Sequence, residues 1–315
     1  MKQKFSLVIH GGSGTITRQN LSSEKEQKYL QSLDHALNNG CSILRSGGSA
    51  LDAVEVSVKI LEDDPLFNAG KGSVFTNEGI NELDASIMDG QTLNAGAVAE
   101  VTNIKNPIAA ARAVMEKSDH VMLVGRGAEK FAIQFGLEIV DPQYFFTEER
   151  WQALQRILEE DPSKTELDHS SPVLTGDRKF GTVGAVARDI YGNLAAATST
   201  GGMTNKKLGR VGDSPLIGCG TYANATAAVS CTGWGEFFIR TCAAKTVSDL
   251  MEYKGLPLKQ AATEVIAKVS ELGGDGGLIA VDKDGNVALP FSTEGMYRGY
   301  ITEEGNAVVR IFNDY

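Results

Sequence analysis

The sequence has few residues of the kinds that build metal sites or disulfide frameworks. Among 315 residues there are four cysteines without CxxC spacing and four histidines without an HxH or HExxH grouping. We therefore expect reduced, buried thiols, no histidine-based metal site and no histidine base in catalysis. These residues are Cys41, Cys219, Cys231 and Cys242, together with His10, His35, His120 and His169.

Long apolar runs and excess positive charge are also missing. No stretch approaches the roughly 20 apolar residues of a membrane span, and the first residues lack the apolar region of a signal peptide. The net charge of −10 disfavours a nucleic-acid partner, because phosphate binding needs a basic surface. We expect a cytoplasmic protein that acts on a small polar molecule, with no nucleic-acid or membrane partner.

The patterns that are present predict helices packed on antiparallel sheets, an α+β fold. Residues 5–9 are typical of a buried strand that ends in a glycine turn, and Ser23 is expected to cap a helix. Runs 182–187 and 194–200 predict a hairpin, as do 278–281 and 287–290. Helices are expected over 236–244 and 258–269, between the two hairpins.

One segment has no periodicity at all. From about residue 159 to 181 the chain is polar and charged, contains two prolines and is typical of a linker. Immediately after it, Gly181 and Thr182 open an apolar strand. This junction is unusual for a simple spacer, but it fits a chain that is cut between Gly181 and Thr182.

Such a cut would give Thr182 a free α-amino group. An α-amine has an ordinary pKa of about 7.7–8.0, so it can act as general base for the hydroxyl of the same residue. One residue would then supply nucleophile and base without a histidine. The alternative is that Thr182 is an ordinary β-branched strand residue.

Three further groups could complete a site around this threonine. Thr200 ends the partner strand of the predicted hairpin and would lie near Thr182. Arg210 can hold a carboxylate through two hydrogen bonds and Asp213 can accept from an ammonium, which together match a free amino acid. Thr232 and Gly233 precede a helix and could stabilise an oxyanion. Each group also has a purely structural interpretation. Thr200 could be a polar strand end, Arg210 and Asp213 a surface ion pair, and Thr232 and Gly233 a glycine-rich start of a helix.

Taken together, these motifs resemble one family. The runs GTVGAVARDIYGNLAAATSTGG, GRVGDSP and SCTGWGE, in this order, resemble plant-type asparaginases and bacterial isoaspartyl peptidases. HGGSG, LEDDPLFNAGKGSVFT, ELDASIMDG and the C-terminal GGDGGLIAVDKDGNVALPFSTEGMYRG extend the resemblance over nearly the whole chain apart from the linker. The resemblance implies a threonine amidohydrolase that hydrolyses β-aspartyl dipeptides and L-asparagine and releases L-aspartate.

The resemblance also implies roles for individual residues. Thr182 matches the nucleophile and, with Gly181, the autocleavage site, and Thr200 matches the threonine that assists it. Arg210 and Asp213 match the pair that binds the substrate α-carboxylate and α-amino group. Thr232 and Gly233 match the oxyanion-stabilising pair, with Gly233 also at the substrate. Asn68 matches an asparagine that the N-terminal subunit contributes.

The family fold is the four-layer αββα sandwich of N-terminal-nucleophile hydrolases. The resemblance implies a single domain, 1–315, cut into an α subunit, 1–181, and a β subunit, 182–315, which assemble as an (αβ)2 heterotetramer. No catalytic cofactor is implied. A structural sodium ion is implied, held mainly by backbone oxygens at Leu61, Glu62, Asp64, Phe67, Ala69 and Lys71.

Other activities stay open at this point. Glycosylasparaginases use the same mechanism but usually have Asp before the nucleophile, where this chain has Gly181. A protein-cleaving threonine aspartase would need a large docking surface, for which the sequence gives no sign. A non-catalytic protein that binds amino acids through Arg210 and Asp213 would not need three threonines. Trp234 stands where relatives often have a smaller residue, so the size of the pocket and the preferred leaving group stay open.

Overall fold

The computed structural model describes residues 4–160, 162–163, 181–303 and 305–313. The strands in these ranges are β1 Ser6–Gly14, β2 Leu83–Asp89, β3 Ala95–Val101, β4 Met122–Val124, β5 Val183–Arg188, β6 Leu194–Thr200, β7 Thr221–Ala223, β8 Ala227–Gly233, β9 Gly276–Asp282, β10 Val287–Ala288, β11 Gly295–Thr302 and β12 Val308–Phe312. The helices are α1 Ser23–Arg45, α2 Ala50–Asp63, α3 Pro107–Lys117, α4 Gly125–Gln134, α5 Glu148–Glu160, α6 Gly235–Thr241, α7 Ala243–Lys254 and α8 Leu258–Glu271.

The strands form two sheets. The larger has eight strands in the order β12-β11-β1-β5-β6-β2-β3-β4, and the smaller has four in the order β10-β9-β8-β7. Neighbouring strands are antiparallel except β3 and β4, which are parallel. Helices α1, α2 and α3 pack on the larger sheet, and α7 and α8 pack on the smaller one. The predicted α+β class is confirmed.

Apolar residues form three cores that hold these elements together. One lies between the larger sheet and the helices before β5, and a second between the smaller sheet and helices α6 to α8. The third joins the two sheets, with Val8 and Val186 of the larger sheet and Ala228 and Ile279 of the smaller one. Alternation along β1 and β5 directs their side chains to both faces, so β1 is buried throughout and β5 is buried up to Arg188, which is partly buried.

The β5–β6 hairpin follows the sequence prediction and fixes the location of the predicted nucleophile. The Asp189 carboxylate accepts hydrogen bonds from the backbone N–H groups of Tyr191 and Asn193 and so closes the turn. Val183 pairs with Ser199 at the open end of the hairpin. Thr182 and Thr200 therefore lie side by side. The second predicted hairpin, β9–β10, is also present.

Several predicted boundaries were wrong for local reasons. The strand predicted to end before the HGGSG run continues through it, because Gly12 to Gly14 pair with β11 beyond a bulge. Ser22, not Ser23, caps α1 and accepts from the backbone N–H of Lys25. The predicted helix 236–244 is two helices, broken where Cys242 has a left-handed backbone (φ 45°).

The predicted linker lies largely outside the described residues. Its first two residues, Glu159 and Glu160, instead end helix α5. Residues 161 and 164–180 are not described. Of the helices in the described ranges, none is both long and apolar enough to cross a bilayer.

Candidate active site

A cleft opens where β5 begins and where β6 and β8 end. Every residue predicted for the catalytic and substrate-binding site contributes to it, along with six that were not predicted. The predicted lining residues are Asn68, Gly181, Thr182, Thr200, Arg210, Asp213, Thr232 and Gly233. The others are Val74, Gly202, Met203, Thr204, Gly212 and Ser214.

The hydroxyl groups of two threonines meet in this cleft. Thr182 Oγ1 lies 3.2 Å from Thr200 Oγ1 and donates to it. Thr200 Oγ1 also accepts from the backbone N–H of Gly202 at 3.0 Å. Thr182 is partly buried and Thr200 is buried, so the pair is shielded from most solvent but open to the cleft. The Thr182 hydroxyl therefore lies just before the start of β5 and contacts Thr200 inside the cleft.

Thr232 reaches the cleft from the neighbouring sheet. Its hydroxyl oxygen accepts from the backbone N–H of Ser13 at 3.3 Å, and its carbonyl accepts from Ser13 Oγ at 3.2 Å. Because Ser13 N–H occupies a lone pair of Thr232 Oγ1, the hydroxyl proton of Thr232 remains available to donate. With Gly233 beside it at the cleft, this group suits an oxyanion.

Asn68 connects the segment after α2 with the end of β6. Its Nδ2 donates to the carbonyl of Gly202 at 2.7 Å, and its Oδ1 accepts from the backbone N–H of Val74 at 3.0 Å. Its own carbonyl accepts from the N–H of Gly201. These bonds fix the loop whose amide group contacts Thr200.

Arg210 and Asp213 both face the cleft, but they do not pair with each other. The Arg210 guanidinium instead holds the Glu236 carboxylate with two hydrogen bonds of 2.9 Å. Burial raises the pKa of Glu236, but hydrogen bonding and attraction from Arg210 outweigh it and lower the pKa overall. The Trp234 indole also bonds to Glu236, and its ring contacts Phe237 edge-on at 5.1 Å between centroids.

Asp213 has an incompletely satisfied carboxylate. It is only 4% exposed, and within the described ranges its Oδ2 accepts no hydrogen bond. Burial raises the pKa of Asp213 to about 7, although the nearby Arg210 charge opposes this shift. A buried carboxylate oxygen without a donor is unfavourable, so a ligand ammonium would improve its environment.

The segment matched to a sodium loop folds tightly at the end of α2. Leu61 and Glu62 lie in the last turn of α2, where carbonyl groups lack helical partners. A Cβ atom on Gly70, whose φ is +50°, would lie 2.3 Å from the Glu62 carbonyl oxygen, and one on Gly72 would lie 2.0 Å from that of Phe67. The carbonyl oxygens of Glu62 and Phe67 therefore lie close to the backbone of the Gly70–Gly72 turn.

The remaining matched residues surround that loop. Asp64 caps α2, Ala69 precedes a 3-10 turn at Gly70–Gly72, and Lys71 lies over the Tyr144 ring. The Glu62 side chain points away from its carbonyl, and its Oε1 accepts from Ser199 Oγ and the backbone N–H of Ile108. Burial raises the pKa of Glu62 to about 8.

Sequence reasoning missed several residues that shape the site. Glu236 lies within the quoted SCTGWGE run, but nothing in the run shows that its carboxylate holds Arg210. Ser13 lies in the HGGSG run, whose glycines predict a turn but not the contact with Thr232. His10 has no other histidine near it in sequence, yet its ring contacts the Thr182 carbonyl from 172 residues away. No local pattern could have shown this contact.

Comparison with known proteins shows which proteins this chain is similar to. The sequence profile of the asparaginase family matches residues 3–311. The chain is 55% identical over 299 residues to the isoaspartyl peptidase of Salmonella typhimurium, covering 94% of this chain and 95% of that protein. It is 54% identical to the isoaspartyl peptidase of Escherichia coli, with 94% and 92% covered, and 43% identical to the plant-type L-asparaginase of Pyrococcus furiosus, with 95% and 96% covered.

These matches define a class first: the chain is a hydrolase, similar over most of its length to isoaspartyl peptidases and L-asparaginases. The chain belongs to the asparaginase family, as its motifs indicated.

Proposed function

We propose that this chain is an autocleaving threonine amidohydrolase that releases L-aspartate from β-aspartyl dipeptides and L-asparagine through an acyl-enzyme on Thr182. The observation that carries the proposal is the single cleft shared by Thr182, Thr200, Thr232, Arg210 and Asp213. A nucleophile, an oxyanion donor and groups for both ends of an amino acid lie within it. The names of the relatives support the same reaction.

Self-cleavage would use the same hydroxyl. Thr182 Oγ attacks the carbonyl carbon of Gly181, the C–N bond to Thr182 breaks, and the peptide becomes an ester on the threonine. Water then hydrolyses the ester. This releases residues 1–181 with a new carboxylate and leaves residues 182–315 with a free α-amine.

In the cleaved protein the Thr182 amine takes the hydroxyl proton and Oγ attacks the β-carbonyl of the substrate. Thr232 and Gly233 donate to the oxyanion that forms. The amine returns its proton to the leaving ammonia or amino acid, and water releases L-aspartate in a second addition. Asn68 and Thr200 hold the nucleophile side of the cleft in place.

Substrate binding would use Arg210 for the α-carboxylate and Asp213 for the α-ammonium. Arg210 is paired with Glu236 through Nε and Nη2, so the incoming carboxylate would bind the remaining N–H groups and share the guanidinium charge with Glu236. Asp213 can accept the ammonium directly, since its Oδ2 has no hydrogen bond within the described residues.

The larger assembly is part of the proposal. We infer the four-layer αββα sandwich of the N-terminal-nucleophile hydrolases, a single domain of residues 1–315, and an (αβ)2 heterotetramer after cleavage. The three cores that alternate with the two sheets support the layering. Light scattering of the cleaved protein would test the assembly.

We also propose a structural sodium ion, held by backbone oxygens of Leu61, Glu62, Asp64, Phe67, Ala69 and Lys71. The carbonyl oxygens of Glu62 and Phe67 both lie close to the Gly70–Gly72 turn, and oxygen ligands suit a small, hard cation. When bound, the ion would neutralise these dipoles, and no chemical step requires it.

Sodium should therefore stabilise the protein. At equal ionic strength, we expect sodium chloride to raise the thermal unfolding midpoint by about 5 °C over choline chloride, saturating with concentration, because the ion binds only the folded loop. Calorimetric scans over a sodium titration measure this. Equal midpoints in both salts would exclude the ion.

Substrate affinity should depend on the charge of Asp213. Since the substrate-free pKa of Asp213 is raised to about 7, protons compete with the substrate ammonium below that pH. We expect KM to rise as pH falls from 7.5 to 5.5, by up to about tenfold per unit. Asp213→Asn should have a high KM that does not change over this range, whereas an equal slope in the variant would contradict the role of Asp213.

The experiment that tests the whole proposal combines mass and activity. Purified protein is incubated and followed by intact mass, N-terminal sequencing and hydrolysis of β-aspartyl-leucine and L-asparagine. We expect two fragments, one beginning Thr182-Val183-Gly184, and turnover that appears with them. A folded full-length chain that binds L-aspartate without any turnover would instead favour an amino-acid-binding protein.

A further inference from the structure

His10 lies on β1 beneath the floor of the cleft, with its side chain completely buried. Its Nδ1 is 2.8 Å from the carbonyl oxygen of Thr182, and its Nε2 is 2.8 Å from Ser230 Oγ. Both ring nitrogens are thus hydrogen-bonded, Nδ1 to the proposed nucleophile and Nε2 to a residue of the smaller sheet.

The contact with Thr182 determines which nitrogen carries the proton. A carbonyl oxygen can only accept, so Nδ1 must be protonated. Burial lowers the pKa of His10 to about 3, partly opposed by its bond to Thr182, so the ring holds a single proton. Nε2 is therefore an acceptor, and Ser230 Oγ donates to it.

Three more hydroxyl groups continue from Ser230 into the protein. Ser230 Oγ is 2.7 Å from Thr198 Oγ1, which is 2.5 Å from Thr221 Oγ1, and Ser86 Oγ is 2.8 Å from Thr221 Oγ1. Each hydroxyl has one proton. Because the Ser230 proton is used by His10, Thr198 must donate to Ser230 and Thr221 to Thr198. The direction of these two bonds follows from the first, whereas Ser86 Oγ also lies 2.6 Å from the Ser214 carbonyl oxygen and donates to it.

Thr182 has few other attachments to the sheet. The paired residues of β1 and β5 extend only as far as Gly184, which lies opposite His10, and those of β5 and β6 only as far as Val183. Thr182 lies beyond both. If the chain is cut before Thr182, this residue becomes a chain end, and chain ends fray unless they are held. The His10 side chain supplies a hydrogen bond where the pairing stops.

The packing leaves room for this arrangement only because residue 184 is glycine. A Cβ atom there would lie 2.3 Å from His10 Nε2 and 2.1 Å from Ser230 Oγ. The His10 ring therefore packs directly against the Gly184 backbone, between β5 and β8.

We propose that His10 is a positioning residue that fixes the Thr182 peptide, and with it the α-amine and hydroxyl of Thr182, through a one-way hydrogen-bond chain from Thr221 through Thr198 and Ser230. The proposal rests on the proposed role of Thr182 as nucleophile. His10 itself does not touch the substrate or transfer a proton in the reaction.

Two replacements of similar polarity separate positioning from packing. The asparagine side chain can place its Nδ2 donor where His10 Nδ1 lies and so can bond the Thr182 carbonyl. The longer glutamine side chain places its amide near Ser230 instead. We expect His10→Asn to retain kcat within a few-fold. His10→Gln and His10→Ala should lower kcat by about 10²-fold with KM nearly unchanged, since a small misplacement of the nucleophile costs that much. Replacing the exposed His35 by asparagine is the matched control.

The hydrogen-bond direction can be tested without any activity. In 15N-histidine spectra, His10 should show a protonated Nδ1 and a bare Nε2, and it should not titrate between pH 8 and 5. Ser230→Ala should broaden or shift the Nε2 signal while leaving Nδ1 protonated. An Nε2-protonated or titrating His10 would overturn the proposal.

The kinetic outcomes distinguish this proposal from the proposed function. If the wild-type chain neither cleaves nor hydrolyses, the function itself fails, whatever the spectra show. If the wild type is active and folded His10→Gln has wild-type kcat, only the positioning role fails. A larger loss of kcat in His10→Gln than in His10→Asn supports the positioning role, even if His10→Ala does not fold.

Discussion

Thr182→Ala should remain a full-length chain and lose at least about 10³-fold in kcat/KM for β-aspartyl-leucine. The substitution removes the hydroxyl that attacks both the Gly181 carbonyl and the substrate. It should leave the fold intact, because the only side-chain hydrogen bond of Thr182 in the described structure goes to Thr200. Intact mass, circular dichroism and a coupled assay for released L-aspartate measure these effects.

Two variants make this result specific. Thr182→Ser keeps a hydroxyl and should mature slowly and retain part of the activity. Thr263→Ala removes a threonine hydroxyl from the exposed face of α8, far in sequence from the cleft, and should behave as wild type. Cleavage or turnover by Thr182→Ala would exclude this residue as the nucleophile.

Arg210→Ala should lower kcat/KM by on the order of 10² to 10³-fold, mostly through KM, because a forked hydrogen bond to the substrate carboxylate is lost. Glu236→Gln should have the opposite effect on KM, a decrease of a few-fold. With its negative charge removed, residue 236 competes less with the substrate for Arg210.

A substrate without the carboxylate tests this assignment directly. β-Alaninamide is L-asparagine without its α-carboxylate, so wild type and Arg210→Ala should hydrolyse it at similar low rates. If Arg210→Ala weakened both substrates equally, Arg210 would be supporting the cleft rather than binding the carboxylate. An increase of KM in Glu236→Gln would mean that Glu236 orients Arg210 instead of competing for it.

Sequence patterns predicted the parts of the fold that depend on neighbours in the chain. The β5–β6 hairpin follows from Asp189 and the turn residues after it, and that hairpin alone brings Thr200 to Thr182. The loop from Arg210 to Asp213 and the end of β8 reach the same cleft because the smaller sheet packs on the larger one.

Features that depend on packing between distant segments were not predictable. The break at Cys242 follows residues that are compatible with one continuous helix, and only tertiary contacts select the left-handed backbone there. Similarly, the burial of Asp213 and the pairing of Arg210 with Glu236 depend on how the loop meets α6. These contacts determine the charge of Asp213 and the affinity of Arg210 for a carboxylate, which the residue types alone do not determine.

The strand order has a consequence for how the protein would unfold once it is cut. β1, from the segment before residue 181, lies between β11 and β5, both from the segment after it. The two pieces would thus stay interleaved in one sheet and melt as a unit. Once separated by denaturant, however, they could refold only by finding each other, so recovery would depend on protein concentration. Self-cleavage would in this way change a reversible, unimolecular folding reaction into one that dilution makes irreversible.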